Sequence, residues 1–278
     1  MVVSHLGVAV DVELDDGAPL RLRVARKSGI VVGDDVTVVG ERAIANERRT
    51  ALQRRSPGGG VHVVAANLDV LGIVVAVDPP AKAGLVDRAA VAARAAGIEP
   101  FLIVNKIDLE GAEEIVAAAA ARVAGELTCF GASAESGQGL DAVLAHLGGR
   151  RGALVGSSGV GKSSLLNRLV PGLELKTRAL SDAHGAGRHT TTVSSLHRLP
   201  GGGELIDTPG VREFGLVDVE RDDLARYFPG FAAVEGACRF RDCLHRDEPG
   251  CAVQQAVEDE VVDAARYVAY LTLLDELS

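Results

Sequence analysis

Hydrophobic and polar positions change rhythm twice along the chain. Through residues 1–60 they alternate over short runs. His5–Glu13 is apolar and partly alternating, Leu20–Val24 sets apolar side chains against arginines, and Asp35–Val39 follows a Gly33-Asp34 turn. Period-two alternation over four to eight residues marks half-buried strands. With a further turn at Asp15-Asp16-Gly17, these segments predict a small β-barrel or sheet domain. Ser56-Pro57-Gly58-Gly59-Gly60 reads as the connection out of it.

From about residue 70 the pattern becomes one of apolar runs separated by helical periodicity. Val70–Val77 is continuously apolar, as expected of a parallel strand buried on both faces. The spacing then predicts a helix over Leu85–Ala95, a strand over Phe101–Val104, a helix over Glu113–Val123 and a strand over Leu127–Phe130. A helix over Leu140–Leu147, a strand over Gly152–Val155, a helix over Lys162–Leu169 and a strand over Glu204–Ile206 complete the series. Such alternation means βα units and a mostly parallel sheet covered by helices on both faces. After about residue 211 the rhythm changes again. Val257, Val261, Ala265, Val268, Leu271 and Leu274 recur at helical spacing and predict one amphipathic closing helix.

Composition narrows the class. A hydrophobic fraction of 47% over 278 residues can fill a real core. No run of 18 or more apolar residues is present to span a bilayer, and the N-terminus lacks a signal-peptide pattern. The expectation is therefore a cytoplasmic protein without a membrane partner, whose four cysteines are thiols or metal ligands rather than a secreted disulfide framework. A net charge of −9 gives no general attraction to nucleic acid. Residues 21–55 reverse the sign locally, with nine Arg or Lys against four acids. That surface reads either as a solvated face or as a footprint for a phosphate backbone.

The strongest chemical signal is Gly156-Ser157-Ser158-Gly159-Val160-Gly161-Lys162-Ser163, followed by Ser164. It satisfies G-x-x-x-x-G-K-S between a strand and a helix. Glycines let the backbone wrap closely around phosphate, so that N–H groups and the helix N-terminus face the charge. Lys162 then reaches the β- and γ-phosphates and the Ser163 hydroxyl ligates Mg²⁺. Asn105-Lys106-Ile107-Asp108 ends the strand Phe101–Val104, at the sheet edge where such folds bind ligands. One carboxylate at Asp108 can accept both N1–H and N2–H of guanine, a donor pair that adenine lacks. Asn105 is placed to tie this loop to the phosphate loop, and the Lys106 stem to cover a face of the base. Ser133-Ala134 follows the next strand and can turn backbone N–H toward the guanine oxygen. Asp207-Thr208-Pro209-Gly210 closes the strand Glu204–Ile206, with Asp207 suited to hold Mg²⁺ through water and Gly210 N–H to sense the γ-phosphate. Gly187-Arg188-His189-Thr190-Thr191-Thr192 lies between, and a threonine hydroxyl there can complete the Mg²⁺ shell.

A separate cluster, Cys238, Cys243, His245 and Cys251, has the spacing C-x4-C-x-H-x5-C. Three thiolates and one imidazole suit a closed, tetrahedral, structural Zn²⁺ site. Cys129 falls on a core strand and reads as an inert apolar thiol.

N-K-x-D, S-A, G-x-x-x-x-G-K-S, Thr-Thr and D-T-P-G are together the elements of TRAFAC-type GTPases, in permuted order, with the guanine elements ahead of the phosphate loop. With the zinc cluster, Val211-Arg212-Glu213-Phe214 after the D-T-P-G, and the tail Arg266-Tyr267…Tyr270-Leu271, the chain resembles the family of ribosome small-subunit-dependent GTPases, RsgA/YjeQ, end to end. The resemblance implies three domains: an OB-fold-like RNA- or ribosome-binding barrel over 1–60, a circularly permuted α/β P-loop GTPase over 61–215, and a helical zinc domain over 216–278. It also implies GTP hydrolysis late in maturation of the 30S ribosomal subunit, stimulated by docking on the subunit and its 16S rRNA. The expected ligands are GTP or GDP, Mg²⁺ and one structural Zn²⁺. Val211 stands where Ras-like enzymes carry a catalytic Gln, and His189 resembles the family histidine proposed to position water. Lys162, His189 and Thr191 are thus the expected catalytic residues, with Thr191 preferred over Thr190 for Mg²⁺. The alternative reading is an rRNA-binding assembly chaperone that keeps nucleotide mainly as a structural ligand. Nothing in the sequence asks for more than a monomer.

Overall fold

The computed structural model describes residues 1–25, 27–55, 59–175, 193–207, 216–234 and 236–277. The chain opens with β1 (Val2–His5), β2 (Ala9–Glu13) and β3 (Pro19–Arg23), an antiparallel meander. His5–Glu13 is thus not one segment. It turns at Gly7, whose φ of 85° suits a residue without Cβ, and Leu6 N donates to Ala9 O across the turn. A separate hairpin, β4 (Val36–Val39) with β5 (Arg42–Ala45), follows. The meander and the hairpin share one core, in which Val2, Val10, Val12, Leu22 and Ile30 pack against Val36, Val38 and Ala43.

β6 (Ala51–Arg55) pairs antiparallel with β7 (Val61–Ala66) in a two-stranded sheet of its own. Leu52 and Ala65 lie in the same core as Leu71 and Ile73.

The βα alternation then runs as read: β8 (Val70–Ala76), α1 (Leu85–Ala95), β9 (Glu99–Asn105), α2 (Ala112–Arg122), β10 (Thr128–Ala132), α3 (Leu140–Leu147), β11 (Arg151–Val155) and α4 (Lys162–Leu169). β12 (Ser194–Arg198) and β13 (Glu204–Asp207) complete the sheet. Its order is β10-β9-β8-β11-β13-β12-β1-β2-β3, parallel from β10 to β13 and antiparallel beyond. Every residue of β8 is buried, because α1 and α2 cover one face while α3 and α4 cover the other. Each Leu, Ile, Val or Phe enclosed there contributes about 1.5–3 kcal/mol. The five parallel carboxyl ends consequently meet along one edge.

The closing helix is two helices, α5 (Ala252–Glu258) and α6 (Ala264–Glu276). Val261 and Ala256 cap the first, Glu260 takes a φ of 57°, and Asp263 caps the second by accepting from Arg266 N. The break shifts the helical phase, leaving Val261 and Val268 exposed at 67% and 61% while Tyr270, Leu273 and Leu274 are buried. This lobe packs on α1, with Val91 in its core. Among the described residues no helix is long and apolar enough to cross a membrane.

Candidate guanine-nucleotide site and metal centre

α1, α2, α3 and α4 all start after a glycine in the left-handed region, without a side-chain cap. The first three place Asp or Glu in the first turn, whereas α4 begins Lys162-Ser163-Ser164 with no acid. An uncapped helix start of this kind favours an anionic ligand. The loop ahead of it tolerates no side chain at its ends. A Cβ on Gly156 would lie 2.1 Å from Val74 O, and one on Gly161 would lie 2.3 Å from Asn105 Nδ2. Within the loop the Lys162 ammonium donates to Gly156 O and Ser157 O, both at 2.8 Å, and Val160 anchors the loop in the core at 1% exposure.

Asn105 joins three loops. Its Nδ2 donates to Val160 O at 2.8 Å, and its Oδ1 accepts from Ala134 N at 3.2 Å, with the side chain buried. Ser133, fully enclosed, donates through Oγ to Asp108 Oδ1 and accepts from Ser136 N at 3.0 Å. Asp108 is thereby oriented by the loop that carries Ala134. A Cβ on Gly139 would come 2.0 Å from Gly131 O, so the Ser133 loop closes tightly on its strand. Lys106 donates to Asp78 O, two residues past the end of β8.

Asp207 ends β13, one strand from the phosphate loop. Burial raises its carboxyl above the ordinary range, and the Lys162 charge pulls part of that back. The structure thus brings Asn105, Lys106, Asp108, Ser133, Ala134, the loop 156–164 and Asp207 to one sheet edge. His189, Thr190, Thr191 and Gly210 lie outside the described residues.

The second centre is local. Cys238, Cys243 and Cys251 Sγ lie 3.4, 3.5 and 3.4 Å from His245 Nδ1, and all four ligand atoms fall within 4.8 Å of one another. Zn–S bonds of about 2.3 Å and a Zn–N bond of about 2.0 Å at tetrahedral angles give an S···N edge of about 3.5 Å. The donor set therefore fits zinc in both chemistry and spacing. Glu248 braces the ligand loop. Burial works against its charge, but the N–H groups of Leu244, Glu248, Arg246 and Asp247 hold its carboxyl down at about 2.

Two features carried no signal in the residue pattern. Asp87, buried on α1, pairs with Arg122 at 2.9 Å and with Arg266 of the zinc lobe at 3.3 Å. Asn167 of α4 holds the Leu175 backbone by both its amide groups, at 2.9 and 2.8 Å. The basic run 21–55 is partly paired within the fold: Arg21 with Asp11, Arg48 with buried Asp34, Arg49 with Asp69, while Arg55 donates to Leu216 O. Arg23, Lys27, Arg42 and Arg54 stay exposed.

The family model described as RsgA GTPase matches residues 45–217, more than half of the chain. The chain belongs to the RsgA GTPase family. It is 44% identical over 259 residues to the small ribosomal subunit biogenesis GTPase RsgA of Gemmatimonas aurantiaca, covering 89% of this chain and 84% of that protein. It is 42% identical to the protein of the same name from Pseudomonas aeruginosa, covering 98% and 84%. Among solved structures, YjeQ from Thermotoga maritima superposes with a TM-score of 0.78 at 30% identity, covering 99% of this chain and 96% of that one. YloQ, described as a circularly permuted GTPase, gives 0.72 at 25% identity, covering 99% and 93%. In this RsgA-family chain, β9 and β10, which end in Asn105 and Ala132, precede β11, which leads into the loop 156–164.

Proposed function

We propose that the chain hydrolyses GTP to GDP and phosphate and couples this to late maturation of the 30S ribosomal subunit, with docking on the subunit stimulating turnover. The observation that carries the reading is the Asn105 bridge. One buried amide fixes the guanine-reading loops against the phosphate loop, an alignment that a ligand carrying both a guanine and phosphates requires. The names of the RsgA relatives supply the ribosomal context.

In this reading Asp108 accepts from the guanine edge, Ala134 N–H faces the guanine oxygen, and residues 156–164 with Lys162 enclose the phosphates. Mg²⁺, when bound, neutralises charge between the β- and γ-phosphates. Ser163 and Thr191 would hold it directly and Asp207 through water, while Gly210 N–H meets the γ-phosphate. Val211 has no group to polarise water, so His189 is the residue we assign to positioning the nucleophile. The cysteines and His245 hold a structural Zn²⁺. The strands ahead of Ala51 form an OB-like unit that docks on 16S rRNA through Arg23, Lys27 and Arg42, with Arg54 of β6 beside them. The protein works in the cytoplasm as a monomer.

The test is GTP turnover with and without 30S particles. The free protein should be slow, and saturating particles should raise kcat far more than they lower KM. His189→Ala should lose the stimulated kcat while keeping its affinity for GTP. Particle binding without any stimulated turnover would favour an assembly chaperone that uses nucleotide as a structural ligand.

A further inference from the structure

Lys106 has a backbone φ of 65°, in the left-handed region that residues with a Cβ enter only rarely. Its ammonium donates to the main-chain carbonyl of Asp78, 28 positions earlier in the chain. That carbonyl is itself held from two sides. Behind it, Val77 N donates to Asn105 O at 3.2 Å, tying the end of β8 to β9. Ahead of it, the Pro79 ring lies 3.7–3.8 Å from where a Cβ on Gly159 would stand, so it rests against the phosphate loop.

The strand order β10-β9-β8-β11 gives this contact its meaning. Asp108 is oriented from the β10 side by Ser133, whereas Lys106 reaches the opposite way, toward β8 and the phosphate loop beyond it. Its four-carbon stem therefore bridges the gap between the base-reading loop and the phosphate-binding loop, where the nucleoside must lie. A lysine stem left unanchored samples many rotamers, and binding a ligand against it costs that freedom. Fixing the ammonium before the ligand arrives removes the cost.

We propose that Asp78, through its main-chain carbonyl, is the positioning residue for Lys106, and that Pro79 holds this carbonyl in place. The β8–α1 loop then forms a third wall of the nucleotide pocket, beside the N-K-x-D and Ser133-Ala134 loops. The proposal rests on the cleft being a guanine-nucleotide site.

The experiment is a double-mutant cycle on the full-length, zinc-loaded chain, read by calorimetry and by the release rate of a fluorescent GDP. Lys106→Met keeps the apolar stem and removes the ammonium. It should weaken GDP and GTP by the same factor, about tenfold, as for a hydrogen bond to a charged group. Pro79→Ala should weaken both by a smaller common factor through faster release. The double variant should match Lys106→Met alone, because Pro79 acts through the same contact. A purely structural effect of Pro79 would instead multiply with that of Lys106→Met, and that result overturns the proposal. Wild-type affinity in Pro79→Ala overturns it as well. Should Lys106→Met not fold, Lys106→Gln closes the same cycle. Failure of the wild-type chain to bind any guanine nucleotide would sink the site assignment itself and is distinguishable from both outcomes.

Discussion

Asn105→Ala tests the arrangement on which the functional reading depends. The substitution removes the donor to Val160 O, at 2.8 Å, and the acceptor for Ala134 N, at 3.2 Å. Each bond contributes about 0.5–1.5 kcal/mol net, but a buried partner left unmatched costs about 1–3 kcal/mol. Val160 is enclosed at 1% exposure, so its carbonyl stands toward the upper end. Ala134 is half-buried, which places its N–H toward the lower end. The loss is therefore about 2–4 kcal/mol. In the free protein the loops can separate and hydrate, recovering part of it. Nucleotide binding forces them together again, so about 1.5–3 kcal/mol should appear as lost affinity, a factor of about ten to a hundred. Calorimetric titration should show equal losses for GDP and GTP, since Asn105 bridges loops and is not assigned to the γ-phosphate. The reasoning fails if the folded, zinc-loaded variant binds GDP within twofold of wild type. Gly161→Ala checks the same contact from the other side. Its Cβ would stand 2.3 Å from Asn105 Nδ2 on a backbone with φ of 94°, so it should reproduce the loss without deleting any hydrogen-bonding group.

Asp108→Asn should set a donor against the guanine donors and weaken GTP by about 2–3 kcal/mol, the scale of a charged hydrogen bond; unchanged GTP affinity by calorimetry would remove Asp108 from the recognition edge. Elemental analysis should find one zinc per chain, lost in Cys243→Ala together with the cooperative unfolding of the C-terminal lobe while GDP binding persists; zinc near zero in wild-type protein purified without chelator would count against the centre. Asp207 gives a pH signature. Its folded carboxyl lies above the unfolded value, so folding takes up protons and the nucleotide-free, Mg²⁺-free protein gains stability as pH falls through the raised value toward the unfolded one. Asp207→Asn should therefore melt higher than wild type at pH 7 with a difference that shrinks on acidification, while its Mg²⁺-dependent turnover drops; an identical melting profile across pH would contradict the burial argument.

Where periodicity and capping agreed, the fold was legible. Leu85–Ala95, Leu140–Leu147 and Lys162–Leu169 begin and end as read because each follows a glycine and presents a continuous apolar stripe. β12 escaped notice because Ser194-Ser195-Leu196-His197-Arg198 is polar and half-buried. Its existence follows from pairing, with β13 on one side and β1 on the other, and long-range pairing leaves no local pattern. The pairing of β6 with β7 was hidden by the Gly-Pro-rich sequence between them, although Leu52 alternates correctly for a buried position. The closing helix was overextended because valines at helical spacing outweighed Asp263, a good N-cap in plain view. The site was more legible than the fold around it. A Cβ at Gly161 would stand 2.3 Å from Asn105 Nδ2, so the need for glycine there was present in the motif. Asp78 contributes a backbone carbonyl, which no side-chain pattern can announce.

Permutation places the zinc lobe directly after the strand that ends in Asp207, and the described contacts say how that lobe is seated. Leu216, the next described residue, accepts from Arg55, and Asp218 accepts from Gln53 at 3.4 Å, so the chain is fastened to the β6–β7 hairpin as it enters the lobe. The lobe then grips α1. Arg266 reaches buried Asp87 and the Arg122 carbonyl, Arg88 pairs with Glu276, and Val91 enters the lobe's own core. A buried pair is weak evidence for stability, because desolvation offsets much of the attraction, but removing one partner typically costs about 3–5 kcal/mol. Asp87 with its two arginines ties the lobe to α1 through a buried ion pair. α1 also follows the loop of Asp78 and Pro79 in the chain, and the C-terminal lobe packs on it. A metal-stapled segment could fold on a flexible tether and leave the pocket indifferent to it. Fastened at Arg55, Asp87 and Arg88, it is instead held to the hairpin and to α1 at several points.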